Sequence, residues 1–423
     1  MSESLEQLIK LCSDVTNNSK EVKKGSLFIA LPGSKHDGRD YISEAIKKGA
    51  SAIIYEKKNF IYSSKVKVPV IGIDNLYEQQ AKILNIFYND APKTFKVIGV
   101  TGTNGKTSVA GWLSQCLNQL KYKTGSIGTL GYVVPGKNYK TSNTTPDIIT
   151  LHKILNNAKK DECKFVVMEV SSHAIDQNRI RNIEFDAKIL TNVTRDHLDY
   201  HKTIKKYHDT KKRFFSDVQK KKIILNLDDS VGREILKEID SKSKIITYAI
   251  NRKADLKANK IVYKNNKMNF DILWQKNTYQ VNVNIFGKYN VHNILSVIAT
   301  LLMYEFPIMK IINAIEKLQN ISGRNEVVHF DKNGHPQVII DYAHTPDALK
   351  NILKSLGEIS LREIILIFGC GGNRDKGKRE QMALIANKYA QKVIITNDNP
   401  RDEDPRNILD EIEKFLVVHY EVI

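Results

Sequence analysis

The chain has 423 residues, of which 41% are hydrophobic and 26% charged, as in soluble globular proteins. This length allows roughly two to four domains with buried cores. An excess of 65 lysine and arginine residues over 47 acidic residues gives a net charge of +18. The lysines are scattered along the whole chain and accompany no nucleic-acid-binding module, so we expect an anionic small substrate and no nucleic-acid partner.

The amino terminus and the cysteines predict a cytoplasmic protein. The first residues, MSESLEQLIKLCSD, are acidic and amphipathic, unlike a signal peptide, which is basic and then apolar. No apolar run approaches the length of a membrane span, so no membrane partner is expected. Cys12, Cys116, Cys163 and Cys370 lie far apart without a CxxC pair, which is typical of reduced thiols.

The first ninety residues have the pattern of a small α/β domain. Three short apolar strands between residues 26 and 73 alternate with helical stretches over 41–49 and 76–88. The connector NDAPKT carries a proline just before the next strand, which predicts a first domain over residues 1–90.

A phosphate-binding loop is predicted in VIGVTGTNGKTSVAGWL, residues 97–113, where an apolar strand leads through glycines into a helix. Backbone N–H groups and the positive end of the helix then face one point, where phosphate binds. The strict GxxxxGK[ST] pattern is not met, because it requires glycine at Val100. Lys106 would reach the outer phosphates of a nucleoside triphosphate, and the Thr107 hydroxyl would bind Mg²⁺. The residues assigned to the nucleotide are Gly102, Thr103, Asn104, Gly105, Lys106, Thr107 and Ser108.

Two further apolar strands of this central region end in polar residues. Glu169 ends the strand in KFVVMEVSSHA, where a carboxylate beside the phosphate loop can hold Mg²⁺. His197 lies in TNVTRDHLDYH, which offers imidazole and carboxylates but no cysteine, so a Mg²⁺ site assisted by an imidazole fits better than zinc. The central domain is predicted to end near ISGRNE and to span residues 91–323.

The last hundred residues give three strand–loop–helix units, beginning at QVIIDYAHTPDAL, EIILIFGCGG and KVIITNDNP. Thr345 and Asp404 each precede a proline and are predicted helix N-caps. We expect an open parallel sheet with its ligands at the carboxyl ends of the strands, over residues 324–423. The fold class is therefore α/β, with a phosphate-loop central domain and a Rossmann-like third domain.

Nine motifs occur in the same order as in the Mur ligases, and the resemblance covers nearly the whole chain. They are GVTGTNGKTS, SNTTPD, MEVSSHAIDQNRI, TNVTRDHLDYH, GKYNVHN, ISGRNE, DYAHTPDAL, GCGGNRDKGKR and DNPRDEDP. Among the Mur ligases, the chain most resembles the type that adds the third residue of the peptidoglycan stem peptide. This resemblance implies three domains, which bind the UDP-sugar, ATP and the amino acid in turn. It also implies ATP-dependent addition of meso-2,6-diaminopimelate to UDP-N-acetylmuramoyl-L-alanyl-D-glutamate through an acyl phosphate, with Mg²⁺.

The resemblance assigns the remaining site residues. The catalytic set is Lys106, Glu169, His197 and Lys211, and Mg²⁺ is expected to contact Thr107, Glu169, His197 and Lys211. Lys211 falls where the family carries a carbamylated lysine. Adenine and ribose are assigned to Asn293, Arg324, Asp341 and His344. The UDP-sugar is assigned to Ser19, Ser34, Lys35, His36, Asn143, Thr144, Thr145, Ser171, Gln177 and Arg179. The amino acid is assigned to Arg374, Asp398, Asn399, Pro400 and Arg401.

The identity of the incoming amino acid stays open between diaminopimelate and L-lysine. Diaminopimelate carries one more carboxylate, and we expect Arg374 and Arg401 to form a buried pair that grips it. With lysine as the substrate, this arginine pair would have no carboxylate to bind. Discrimination against lysine on the order of 10⁴ would then be attainable. Folylpolyglutamate synthetase shares the ATPase core, but SNTTPD and DNPR argue against it.

The chain stops at FLVVHYEVI, whereas similar proteins continue for several dozen residues through a GKGHE-like motif. We therefore expect an incomplete third domain and weak or absent ligation. A nucleotide-binding protein without full ligase turnover is the remaining alternative. A monomer is expected.

Overall fold

A computed structural model describes seven stretches of the chain. They are residues 3–33, 36–216, 221–239, 242–264, 267–329, 336–359 and 363–423.

The first unit is a four-stranded parallel sheet with the strand order β1-β2-β3-β4. Its elements are α1 (Glu3–Leu11), β1 (Asp14–Thr16), β2 (Ser26–Ala30), α2 (Ile42–Lys47), β3 (Ala52–Glu56), β4 (Val70–Ile73) and α3 (Leu76–Phe87). Glu56 at the end of β3 is 8% exposed, and its carboxylate accepts the N–H of Leu76 at 2.7 Å. This contact satisfies a free donor at the start of α3 and fixes where that helix begins.

The second unit is an eleven-stranded sheet with helices on both faces. Its first elements are β5 (Lys96–Thr101), α4 (Lys106–Gln119), β6 (Thr124–Gly128), β7 (Gly131–Val134), β8 (Lys137–Tyr139), α5 (Ile148–Lys160), β9 (Phe165–Glu169), α6 (Ser172–Asp176) and β10 (Ala187–Leu190). They continue with α7 (Leu198–His201), α8 (Ile204–Ser216), β11 (Lys222–Asn226), α9 (Ser230–Glu238), β12 (Lys244–Ala249), β13 (Leu256–Lys264), β14 (Lys267–Trp274), β15 (Asn277–Val283), α10 (Lys288–Met303) and α11 (Ile308–Ile315).

The strand order of this sheet is β15-β14-β13-β12-β11-β10-β5-β9-β6-β7-β8. The central strands are parallel, and β13, β14 and β15 pair antiparallel at one edge. Because β5, β9 and β10 are neighbours, their carboxyl ends bring the phosphate loop, Glu169 and the residues after Leu190 to one edge of the sheet.

The third unit contains β16 (Glu326–His329), β17 (Val338–Ile340), α12 (Pro346–Ile359), β18 (Ile365–Phe368), α13 (Gly377–Tyr389), β19 (Lys392–Ile395), α14 (Pro405–Glu413) and β20 (His419–Val422). The strands β18, β19 and β20 form the expected parallel sheet. The strand β17 was expected in the same sheet, but it pairs antiparallel with β16 instead. Both predicted caps are present: Asp404 accepts the N–H of Arg406 at 2.8 Å, and Thr345 accepts that of Ala348 at 3.2 Å.

The α/β class predicted from the sequence is confirmed. Within the described part of the chain, none of the helices combines the length and the apolar character needed to cross a bilayer.

His152 on α5 is a buried histidine, and neither of its ring nitrogens has a hydrogen-bond partner among the described residues. Burial lowers its pKa from 6.5 to about 4. The unfolded chain therefore binds a proton between these values that the folded chain does not, so stability falls as the pH drops from about 6.5 to about 4.

We expect His152→Leu to remove this acid-induced loss of unfolding free energy, which amounts to about 3 kcal/mol, because leucine does not titrate. Urea unfolding of the wild type and of His152→Leu at pH 7 and pH 4.5 measures the loss in each protein. An equal drop in unfolding free energy in the two proteins would contradict the prediction.

Candidate active site between the second and third units

The phosphate loop lies in a cleft of about 860 Å³ that residues of the second and third units line together. The N–H groups of Thr103 and Asn104 do not point into the cleft, because they donate to the backbone and side-chain oxygens of Asn192 at 2.7 and 3.0 Å. Thr191 in turn donates to the carbonyl of Asn104 at 2.6 Å. The segment after β10 therefore holds the loop rigidly, and the N–H groups left for an anion are those of the first turn of α4.

Gly105 precedes this turn in a left-handed conformation, with φ +86°. A Cβ atom at Gly105 would collide with the side-chain oxygen of Asn293 on α10. The glycine is therefore required both by its backbone conformation and by the close approach of a second helix.

Two lysines converge on the loop, of which Lys211 is buried and Lys106 half-buried. The Nζ atoms of Lys106 and Lys211 both donate to the carbonyl of Gly102, at 2.9 and 2.8 Å. Burial lowers the pKa of both amines, and the charge of Lys106 further lowers that of Lys211. Lys211 also lies over the ring of Tyr207, 4.9 Å from its centroid. Both predicted lysines are thus at the phosphate loop.

Glu169 and Thr107 also meet, as the sequence predicted. The Thr107 hydroxyl donates to Glu169 Oε2 at 3.0 Å, and the Glu169 carboxylate is 2% exposed. Arg324, which follows the second unit, donates to the Thr107 hydroxyl oxygen at 3.1 Å and stacks on Tyr342 of the third unit at 4.2 Å. A buried carboxylate and a hydroxyl beside a helix N-terminus form an oxygen-rich point for a cation bound with phosphate.

Asp196 is a buried carboxylate shared by both units. It is 1% exposed and pairs with His197 Nε2 at 3.3 Å, with His344 Nε2 at 3.7 Å and with Lys378 Nζ at short distance. Burial lowers the pKa of His197 to about 2, so its imidazole is neutral and able to ligate a metal ion. His344 and Lys378 belong to the third unit, so these pairs hold it closed over the loop.

Further ion pairs join the two units across the cleft. Arg195 contacts Asp375 at 3.0 Å, and Arg374 contacts Asp199 at 3.1 Å. The Asn104 side chain at the tip of the phosphate loop donates to Asp347 on α12 at 3.2 Å. The third unit therefore contacts the phosphate loop directly.

The residues assigned to adenine and ribose lie around the same cleft. Asn293 contacts Asn290 at 3.0 Å on α10, and Asp341 accepts the N–H of Asn325 at 2.8 Å. Burial raises the pKa of Asp341. His344 and Arg324 complete the set, so the structure brings all four together with the loop.

The residues assigned to the UDP-sugar are only partly brought together. Asn143, Thr144, Thr145, Ser171 and Arg179 line the cleft. Thr145 links them, because its carbonyl accepts from Arg179 at 2.8 Å and its hydroxyl accepts the N–H of Ser171 at 3.0 Å.

Gln177 is outside the lining, but its Oε1 accepts from Arg179 at 2.6 Å. Ser19 and His36 belong to the first unit and are not among the cleft-lining residues; the Ser19 hydroxyl donates to Glu44 at 3.2 Å. Ser34 and Lys35 lie outside the described residues.

The amino-acid residues lie at the cleft, but the expected burial of the arginine pair is wrong. Arg374, Asp398, Asn399 and Arg401 line the cleft, whereas Pro400 does not. Arg374 and Arg401 are both exposed. They lie on loops at the rim rather than inside a strand end, so water reaches both guanidinium groups.

Sequence reasoning missed Lys378 and Asp375, which carry the contacts between the units. Both lie within GCGGNRDKGKR, a motif quoted for its resemblance but assigned only Arg374. Asn192, which holds the loop, was missed as well, although TNVTRDHLDYH contains it. A polar residue that follows a neighbouring strand was the available signal.

Comparisons with known proteins agree with this geometry. Three family profiles match in chain order: the Mur ligase family catalytic domain over residues 13–98, the Mur ligase middle domain over 100–301, and the Mur ligase glutamate ligase domain over 323–423. The chain is 38% identical over 410 residues to the UDP-N-acetylmuramoyl-L-alanyl-D-glutamate--2,6-diaminopimelate ligase of Coxiella burnetii, covering 95% of this chain and 83% of that protein. It is 40% identical to the ligase of the same name from Aquifex aeolicus, covering 96% and 81%.

Solved structures give the same result. A structure of UDP-N-acetylmuramoyl-L-alanyl-D-glutamate--2,6-diaminopimelate ligase matches with a TM-score of 0.71 and 27% identity, covering 97% of this chain and 84% of that one. MurF ligase from Thermotoga maritima in complex with ADP shares the fold, with a TM-score of 0.71 and 19% identity, covering 100% of this chain and 89% of that one. The chain therefore belongs to the Mur ligase family of ATP-dependent ligases.

Proposed function

We propose that this enzyme joins meso-2,6-diaminopimelate to UDP-N-acetylmuramoyl-L-alanyl-D-glutamate at the expense of ATP. The observation that carries the proposal is the cleft itself, in which the phosphate loop faces the loops that bear Arg374 and Arg401. The names of the Coxiella and Aquifex relatives support the same two substrates.

The three units divide the substrates between them in this proposal. Residues 1–90 and the cleft edge at Thr144, Thr145 and Arg179 bind the UDP-sugar. Residues 91–323 bind ATP, and residues 324–423 bind the amino acid. The contacts of Arg324 with both Thr107 and Tyr342 support a coupling between ATP binding and closure of the third unit.

Mg²⁺ fits the donors present at the loop. Glu169 and Thr107 supply oxygens that touch each other, and the neutral imidazole of His197 lies in the same cleft. Mg²⁺ is commonly held by one or two carboxylates together with substrate phosphates and water. When bound, it would neutralise charge on the phosphates of ATP. Glu169, Thr107, His197 and a carbamylated Lys211 are the residues we assign to it.

The chain's own residues account for activation of the substrate acid. A carboxylate is a poor acyl donor, so the γ-carboxylate of D-glutamate attacks the γ-phosphate of ATP, which gives an acyl phosphate and ADP. The N–H groups at the start of α4 and the Lys106 ammonium are placed to stabilise the charge that develops on the transferred group. Lys106 donates to the carbonyls of Gly102 and Thr103, which keeps its ammonium at the loop assigned to the phosphates.

Closure of the third unit supports the second step, in which the incoming amine attacks the acyl carbon and phosphate leaves. The pairs of Asp196 with Lys378 and of Arg195 with Asp375 bring the amino-acid loops to the phosphate loop. Closure thereby orients the amine and limits the access of water to the acyl phosphate.

We expect selectivity for diaminopimelate over lysine, but well below the 10⁴ inferred for a buried arginine pair. Hydrogen bonds to charged groups contribute about 1.5–3 kcal/mol, which gives roughly 10- to 100-fold in kcat/KM. Competition between the two amines in one reaction, with product masses as readout, measures the ratio. A ratio of one would contradict the assignment of Arg374 and Arg401.

The reaction is tested by ADP release from ATP with UDP-N-acetylmuramoyl-L-alanyl-D-glutamate, with and without diaminopimelate. The sequence alone led us to expect weak or absent ligation, but the amino-acid loops line the same cleft as the phosphate loop. We therefore expect ADP release to require the nucleotide-sugar peptide and to rise on addition of the amine, with one amide formed per ADP. ADP release that depends on neither the nucleotide-sugar peptide nor diaminopimelate would identify an uncoupled ATPase. The absence of ADP release would identify a binding protein. Either result would overturn the proposal.

A further inference from the structure

Two loops of the third unit are bound to each other at the rim of the cleft. The loop 371–374 follows β18, and the loop 398–403 follows β19. The N–H of Gly372 donates to the carbonyl of Asn399 at 2.9 Å, and Arg401 Nη1 donates to the carbonyl of Gly372 at 2.8 Å. The two loops, which carry the two arginines assigned to the amino acid, are therefore tied to each other directly.

Arg379, which also lines the cleft, holds this pair of loops together through Glu403. It lies on α13, is 2% exposed, and binds the Glu403 carboxylate with both Nη atoms at 2.8 and 2.7 Å. Its Nη1 also donates to Glu411 on α14 at 2.7 Å. Glu403 Oε2 in turn accepts the N–H of Asn373 at 3.0 Å. One carboxylate thus connects a buried arginine to both loops, since Glu403 belongs to one of them and Asn373 to the other.

Both loops contain a backbone conformation that needs such support. Asn373 has φ +51° and Arg401 has φ +53°, in the left-handed region that side chains other than glycine adopt at a cost. Such conformations persist only where surrounding contacts impose them. The Arg379 guanidinium is the main cause that lowers the pKa of Glu403 to about 2, so the clamp stays ionised at neutral pH.

We propose that Arg379 is a positioning residue that, through Glu403, fixes the loops of Arg374 and Arg401 and so sets the affinity and selectivity for the incoming diamino acid. The inference rests on the proposed function, because it assigns a role in that reaction. Arg379 is not itself the ligand for the amino acid, because its Nη atoms are committed to Glu403 and Glu411. Its geometry is bidentate, which lysine cannot reproduce.

The test compares Arg379→Lys and Glu403→Gln with the control Glu421→Gln. Glu421 forms an ion pair of similar length with Lys392, at 2.6 Å, which joins β19 to β20 and touches neither loop. For the first two variants we expect the KM for diaminopimelate to rise roughly tenfold, because charge-assisted hydrogen bonds that order the loops are lost. We expect the KM for ATP and the KM for the nucleotide-sugar peptide to stay close to wild type in these two variants. All constants of Glu421→Gln should also stay close to wild type. The preference for diaminopimelate over lysine should fall in parallel.

The outcomes separate the possible failures. A wild type without amine-dependent turnover overturns the proposed function and this inference with it. An active wild type with an unchanged KM for diaminopimelate in both variants overturns the inference alone. A uniform loss of activity together with a lower melting temperature in both variants overturns it too, because Arg379 would then only stabilise the fold.

Discussion

Lys106→Met is expected to lower ATP-dependent turnover by about 10²–10³-fold, the cost of removing one group aimed at developing charge in a transition state. The Lys106 side chain is half-buried, and its Nζ lies 2.9 and 2.7 Å from the carbonyls of Gly102 and Thr103 in the phosphate loop. Lys211, whose Nζ donates to the same Gly102 carbonyl at 2.8 Å, would have to move to replace it. The kcat for ADP release at saturating substrates measures the effect.

The fold should tolerate this change. Methionine fills a similar volume, and it removes a desolvated ammonium that Glu169 and Asp196 attract and Arg324 repels. We therefore expect a melting temperature close to that of the wild type. Lys160→Met is the matched control, because Lys160 is exposed at the end of α5 in the same unit. Turnover of Lys106→Met within about threefold of this control would contradict the assignment of Lys106 to the transferred phosphate.

Local sequence signals were sufficient for the elements that carry the site. The strand before Gly102, the helix after Gly105 and the lysine at the start of that helix lie within about fifteen residues. They follow from hydrophobic spacing and glycine chemistry. Glu169 could be placed beside them because parallel strands bring their carboxyl ends to one edge. The structure confirms this meeting in the contact between Thr107 and Glu169.

Features that depend on distant pairing could not be derived in the same way. The apolar run Val338–Ile340 reads like another parallel strand, yet it pairs with Glu326–His329, which precedes it in the chain. Strand partners depend on tertiary packing, which the period of a short run does not encode.

Burial of polar residues is equally hard to read from sequence. Arg374 and Arg401 were expected to be buried because of the carboxylate they would bind, whereas Arg379, in the same motif as Arg374, is the arginine that the structure buries. The difference arises from Glu403 and Glu411, which lie 24 and 32 residues further along the chain. Paired carboxylates at such separations leave no local pattern around the arginine.

Lys211→Arg is expected to lower ligase turnover by about 100-fold or more, comparable to the loss of groups that orient a metal's ligands. The proposed carbamate forms when the neutral amine attacks carbon dioxide, so that an N–C bond forms and one proton leaves to solvent. Burial and the nearby charge of Lys106 lower the pKa of Lys211, which increases the fraction of neutral amine. Arginine keeps the positive charge but stays protonated, so it cannot take this step.

The modification itself can be observed independently of activity. With ¹³C-bicarbonate we expect one carbamate resonance in the wild type that is absent from Lys211→Arg and retained in Lys106→Met. The carbamate nitrogen keeps one N–H, which can still donate to the Gly102 carbonyl that the amine contacts at 2.8 Å. Its two oxygens would supply anionic charge for a cation bound at the loop. A fully active Lys211→Arg variant, or a wild type without the resonance in its active state, would show that Lys211 acts only as a buried amine that braces the phosphate loop.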